Sequence, residues 1–167
     1  MQNNILKSTM FTGLFLGLMF TINFFLSLSH IGILGFISLI TTVLVIYYTY
    51  RKVIKFRNND CDGCMTYGKS LIYIILSFFF GALISSAVKF FYVAFINKEY
   101  LDLLLQETYK VLDAMKFGIS EENYDQLEKM MTPFGFAIQS IWANLLLGLL
   151  LGVIMSFFVR KEKSIFE

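Results

Sequence analysis

Hydrophobic positions along this chain gather into four long runs, 8–28, 31–50, 71–96 and 134–159, parted by segments rich in charge. A helix rises about 1.5 Å per residue, so a hydrocarbon core roughly 30 Å thick is crossed by about 20 residues, and each run reaches that length. The runs are apolar at nearly every position, whereas barrel strands alternate over about ten residues. Backbone amides in lipid must be paired within their own segment, so runs of this kind are helices. The pattern predicts an all-α membrane protein, a single domain over 1–167 with four transmembrane helices. A loop at 51–70 joins the second and third, and an outer helical segment at 97–132 joins the third and fourth.

The outer segment has its own period. Over 99–117 the apolar residues Leu101, Leu104, Leu105, Leu112 and Met115 fall near helical spacing, while charged residues mostly take the other face. Gly118 breaks the pattern, and Ser120 is placed to cap a second helix over 121–131. Thr132 is a fitting N-cap for the fourth span, with Pro133 at its first position. The expectation is an extracytoplasmic amphipathic helical hairpin; continuation of the third span is the other reading.

Composition and charge support the membrane and give it sides. Of the residues, 57% are hydrophobic and 16% charged, against about a quarter charged in soluble domains, and a soluble chain this short has no core large enough for four helices apolar all round. Lys7, then Arg51, Lys52, Lys55, Arg57 and Lys69, then Arg160, Lys161 and Lys163 share one side when four spans are threaded. Lysine and arginine near span ends favour the cytoplasm, so both termini and the 51–70 loop are expected there, in a bacterial inner membrane. The 97–132 segment, with acids outnumbering bases, belongs outside. A cleaved signal peptide is the rival reading of the first run, whose apolar stretch exceeds the usual 7–15 or so residues.

Small and polar residues mark where helices meet. Gly13 and Gly17, Gly148 and Gly152, and more loosely Gly81 with Ser85 stand four apart, a spacing that lets another backbone approach, within one bundle or between chains. Asn23, Asn144, Ser85, Ser86 and Ser38 all lie about 22 Å from the cytoplasmic face by residue count. They are expected to form a polar layer, read either as hydrogen-bonded glue or as a solute or ion site. Lys89 and Trp142 fall at the outer interface, where a lysine can extend its amine to water and tryptophan is favoured; a buried functional Lys89 is the alternative. Lys69 is a basic anchor at the entry of the third helix, or a contact for anionic headgroups.

Cys61-Asp62-Gly63-Cys64 is the one string that points to thiol chemistry. Two cysteines supply half of a closed zinc site, so the readings are free thiols, a metal site shared between subunits, or a redox pair. A Gly-rich phosphate loop, a Ser–His–Asp set and a His-rich site are missing from the sequence, and the basic residues follow the membrane edge rather than a nucleic-acid site. No cofactor and no catalytic residue is expected. The leading reading is a small non-enzymatic membrane protein acting through assembly, its partners being the bilayer and either its own copies or another membrane protein. Transport through an oligomeric bundle and a cytoplasmic thiol or metal sensor are the alternatives.

The order of several strings resembles a bacterial integral-membrane family of unknown function, DUF 4199. They are the Gly13-x-x-x-Gly17 span, Tyr67-Gly68-Lys69, the Gly81-Ala82-Leu83-Ile84-Ser85-Ser86 string with Phe91-Tyr92 after it, Gly118-Ile119-Ser120-Glu121-Glu122, and Met131-Thr132-Pro133. The resemblance covers nearly the whole chain and implies a cytoplasmic-membrane location without an assigned activity or catalytic residues. Cys61 and Cys64 lie outside the family's pattern.

Overall fold

A computed structural model describes residues 2–28, 32–115 and 121–161. The expectations placed on Gly118, Ser120 and Lys163 fall outside them. The described residues are helical apart from short turns: α1 (Gln2–Leu28), α2 (Gly32–Asp60), α3 (Tyr67–Phe91) running into a π-helical turn (Tyr92–Ile96), α4 (Tyr100–Ala114), α5 (Glu121–Met130) and α6 (Pro133–Val159). Four of these helical stretches are long and apolar enough to cross a membrane, over Asn4–Leu28, Phe36–Asp60, Tyr67–Ile96 and Pro133–Val159. Contacts gather into two units, the first of residues 1–85 and 141–167, the second of residues 86–140.

In the first unit the apolar runs become helices whose inward positions interlock. Leu16 and Phe20 of α1, Val45, Val53 and Phe56 of α2, Tyr73, Ile74 and Phe78 of α3, and Met155 and Val159 of α6 form one buried cluster. Phe20 meets Phe78 with ring centroids 5.5 Å apart, and Phe56 meets Tyr73 at 4.8 Å.

The second span does not end in a loop at residue 51. α2 continues to Asp60, so the predicted 51–70 loop shrinks to six residues between α2 and α3. Arg51 and Lys52 mark where apolar surroundings should end, but arginine and lysine are good helix formers and need not stop the helix. Val53 and Phe56, at 0% and 3% exposure, give the extension an inward face. The stop comes at Cys61–Cys64, where the amide of Cys64 donates to the carbonyl of Cys61 across 2.9 Å. The two residues between them, Asp62 and Gly63, have φ of +52° and +75°. Positive φ at both central positions is the signature of a type I′ turn.

In the second unit the start of α6 is built as its sequence implies. Thr132 Oγ1 accepts from the amide of Gly135 at 3.0 Å, an N-cap bond to the third helical residue. Gly135 is required by close approach: a Cβ there would lie 2.1 Å from the Met130 carbonyl oxygen. Thr132→Ala is expected to lower stability by about 1 kcal/mol, read from the thermal midpoint in detergent, with Thr132→Ser largely retaining it. α4 turns Leu101, Leu104, Leu105 and Leu112 inward and leaves Asp102, Glu107, Lys110 and Asp113 exposed. Met115, expected on the apolar face, is exposed instead.

Candidate functional site

All five glycines singled out by spacing sit where helices touch. A Cβ on Gly13 would come 2.5 Å from Phe80 Cβ and 2.9 Å from the Ser77 carbonyl oxygen; on Gly17, 2.7 Å from Ile84 Cβ; on Gly81, 2.9 Å from Leu16 Cβ and 3.1 Å from the Gly17 amide nitrogen. On Gly148 it would come 2.5 Å from Phe78 Cβ, and on Gly152 3.0 Å from Leu71 Cδ1. α3 is therefore the central helix of this unit, with α1 and α6 each pressed on it through glycine. These grooves are filled from within the chain.

The polar residues expected in one layer divide. Asn23 donates from Nδ2 to Thr42 Oγ1 at 3.1 Å and accepts at Oδ1 from the Ser38 hydroxyl. Thr42, not foreseen, returns its own proton to the Ser38 carbonyl, one turn earlier. This ties α1 to α2. The Ser85 and Ser86 hydroxyls are buried and form no hydrogen bond with a described residue, as is true of Ser156. Asn144 is partly buried on α6. Of the residues counted to one depth, Asn23 and Ser38 meet, and Ser85 does not join them.

A second polar node escaped the sequence. Tyr73, fully buried, holds its hydroxyl 2.9 Å from Ser8 Oγ and 3.0 Å from Thr12 Oγ1. In the same unit Thr9, Thr49, Ser70 and Ser77 are also fully buried, and each hydroxyl donates to a carbonyl of its own helix. Such back-bonding lets hydroxyls enter an apolar interior without stranded protons. Nearer the end of α6, the Arg57 guanidinium donates to the Val159 carbonyl at 2.8 Å, satisfying one of the carbonyls a helix leaves open. Met65 and Lys161 exchange both backbone bonds, at 2.8 and 3.0 Å. Lys69 stands 5.9 Å from the Phe56 ring centroid, a cation–π contact.

Cys61 and Cys64 both carry free thiols. Cys61 belongs to the apolar cluster, and Cys64 is partly exposed. Among the described residues no group of three or more His, Cys, Asp or Glu side chains is positioned for a metal ion. Packing accounts for Cys61 as it stands.

In the second unit Lys89 departs from simple extension toward water. Its Nζ donates to Ser140 Oγ at 2.6 Å, and Ser140 is 8% exposed. Ser86 lies three residues before Lys89 and so on the same side of α3. The π-helical turn that follows carries Tyr92, whose hydroxyl accepts from Asn97 Nδ2 at 3.3 Å. Tyr100 packs edge-on to Tyr92 and Phe136. Burial, with Glu107 and Tyr92 adding, pushes the Tyr100 phenol above its ordinary range, so it is neutral at physiological pH. Trp142, on α6 in the first unit, is 60% exposed.

Residues 7–161 match the model of a family described as a protein of unknown function, DUF4199. No curated protein and no solved structure matches the chain.

Proposed function

The chain belongs to the DUF4199 family, and from that premise we propose a small inner-membrane protein without a catalytic task, which works through contact with other membrane proteins or with its own copies. Both termini and the basic 51–69 segment face the bacterial cytoplasm, and α4 and α5 form a hairpin outside. The excess of lysine and arginine at one set of span ends supports this sidedness.

The observation that carries the reading is the openness of α2. Of its apolar window 17% is buried, against 44% for α3. Leu39, Ile40, Val43 and Tyr47 are all more than half exposed. Acyl chains solvate such a face as well as a protein does, so its apolarity alone drives no association. What supports assembly is that the glycine seams are used inside the chain, which leaves α2 the most open of the four, ahead of α6 at 22% and α1 at 28% buried. A photo-crosslinking residue at Ile40 is expected to give a protein adduct of defined mass in native membranes, and one at Phe78, buried in the core, none. Lipid adducts alone at Ile40 would remove the reading.

Transport of a small solute or ion is the second reading, favoured by Lys89, Ser140 and the Ser86 hydroxyl, which has no partner among the described residues, near the end of the third span. It requires a wet interior. With Cys61 and Cys64 changed to serine, a cysteine at Asn144 should then react with a membrane-impermeant thiol reagent; a dry site ends the transport reading.

A further inference from the structure

We propose that α1 and α3 together form a binding site for one phospholipid of net negative headgroup, its phosphate at Lys7 and an acyl chain lying along the groove beside the glycine seam. The groove has a volume of about 500 Å³, within the range of small-molecule sites. Its walls are apolar: Met10, Phe11 and Leu14 from α1, Phe80, Leu83 and Ile84 from α3. Lys7 is the one charged residue that lines it, and it stands at one end, with Leu6.

The groove follows from the seam. Gly13 and Gly17 let α1 settle against Gly81, and the bulk that glycine lacks is supplied by its neighbours in sequence. Leu14 and Phe80 stand beside the contact and wall the outer side of the approach. Residues 6–14 rise about 12 Å along α1, so the groove runs lengthwise with the helix rather than across it. Both walls belong to stretches able to cross a membrane. In hydrocarbon the occupant of an apolar channel parallel to a helix is an acyl chain. A cation at one end only, among the first residues of its span, selects a chain that carries an anion at its head. A neutral lipid would satisfy the walls and leave Lys7 without an anionic partner, while a soluble phosphate would satisfy Lys7 and leave the walls unused. The inference does not rest on the assembly reading; it needs only the bilayer.

The test places a fluorescent reporter at the rim. Trp142 is the sole tryptophan, so Phe11→Trp with Trp142→Phe gives a single probe on the full chain. In bilayers of phosphatidylcholine titrated with brominated phosphatidylglycerol, quenching of the introduced indole is expected to report about a fivefold preference for the anionic lipid over brominated phosphatidylcholine, the scale set by one basic residue near an anionic surface. Lys7→Gln should bring the two lipids to parity while quenching by either persists. Lys55→Gln, in a separate basic cavity at the end of α2, should leave the preference intact. Equal affinity in the parent protein, or a preference that survives Lys7→Gln, overturns the proposal. So does absence of quenching by either lipid, the result expected if a helix of a second chain fills the groove.

Discussion

Gly81→Leu is expected to destabilise the bundle by about 3 kcal/mol or more, the upper end of what overpacking costs. The reason is what surrounds Gly81. A Cβ there would sit 3.1 Å from the amide nitrogen of Gly17 and 3.2 Å from the carbonyl oxygen of Gly13, both backbone atoms, with Leu16 Cβ at 2.9 Å. Neither backbone atom can rotate away as a side chain can. Relief requires α1 to move off α3, which opens the Ser8–Tyr73 and Thr12–Tyr73 hydrogen bonds and the Leu16 and Phe20 contacts together. Gly68, in the first turn of the same helix, is the contrast: a Cβ there meets nothing within 4 Å. Gly68→Ala should be neutral or stabilising by up to about 1 kcal/mol, since alanine loses less chain entropy than glycine in a helix. Denaturation midpoints of the three proteins in one detergent decide the matter. Equal losses at Gly81 and Gly68 would show that glycine matters here by composition and not by position.

That contrast also shows how far the linear sequence carries. The four spans were legible because lipid imposes a length and forbids charge, and both are counted along the chain. The glycine seams were legible as a spacing, and Thr132-Pro133 as a helix start. What was not legible depends on angle. Residue counting assigns Asn23, Ser38 and Ser85 one depth, but Asn23 turns toward α2 and finds Ser38 and Thr42, while Ser85 turns inward with no described partner. Residue counts give height in a bundle; azimuth comes from packing. α2 was cut short for a related reason, since Arg51 and Lys52 end the apolar run and the helix continues to Asp60. Tyr73 was missed because a tyrosine two residues into a span reads as an interfacial aromatic, and only the tertiary fold closes α1 over it. Residue counting gave Lys89 a height, but its hydrogen bond to Ser140 crosses between helices and leaves no trace in spacing.

Tyr73 is also where the second large loss is expected. In water, truncating a buried aromatic costs both transfer and cavity energy, about 3–5 kcal/mol. In lipid the transfer part nearly vanishes, because the alternative environment is equally apolar, and lost packing with lost hydrogen bonds remains. Tyr73→Ala is therefore expected to cost about 3 kcal/mol, near the lower end. It removes the ring that lies 4.8 Å from Phe56 and the hydroxyl that holds Ser8 and Thr12. Tyr73→Phe isolates the second part. Thr12 keeps its bond to the Ser8 carbonyl, so the hydroxyl's loss falls on the Ser8 side chain. A double-mutant cycle of Tyr73→Phe with Ser8→Ala should give a coupling of about 0.6–1.7 kcal/mol, the range for interhelical hydrogen bonds between spans. A coupling near zero with a full loss in Tyr73→Ala assigns the residue to shape alone. A Tyr73→Ala protein as stable as the parent would mean that α1 is not closed over α3 in the membrane, and the lipid groove and the glycine seam would go with it.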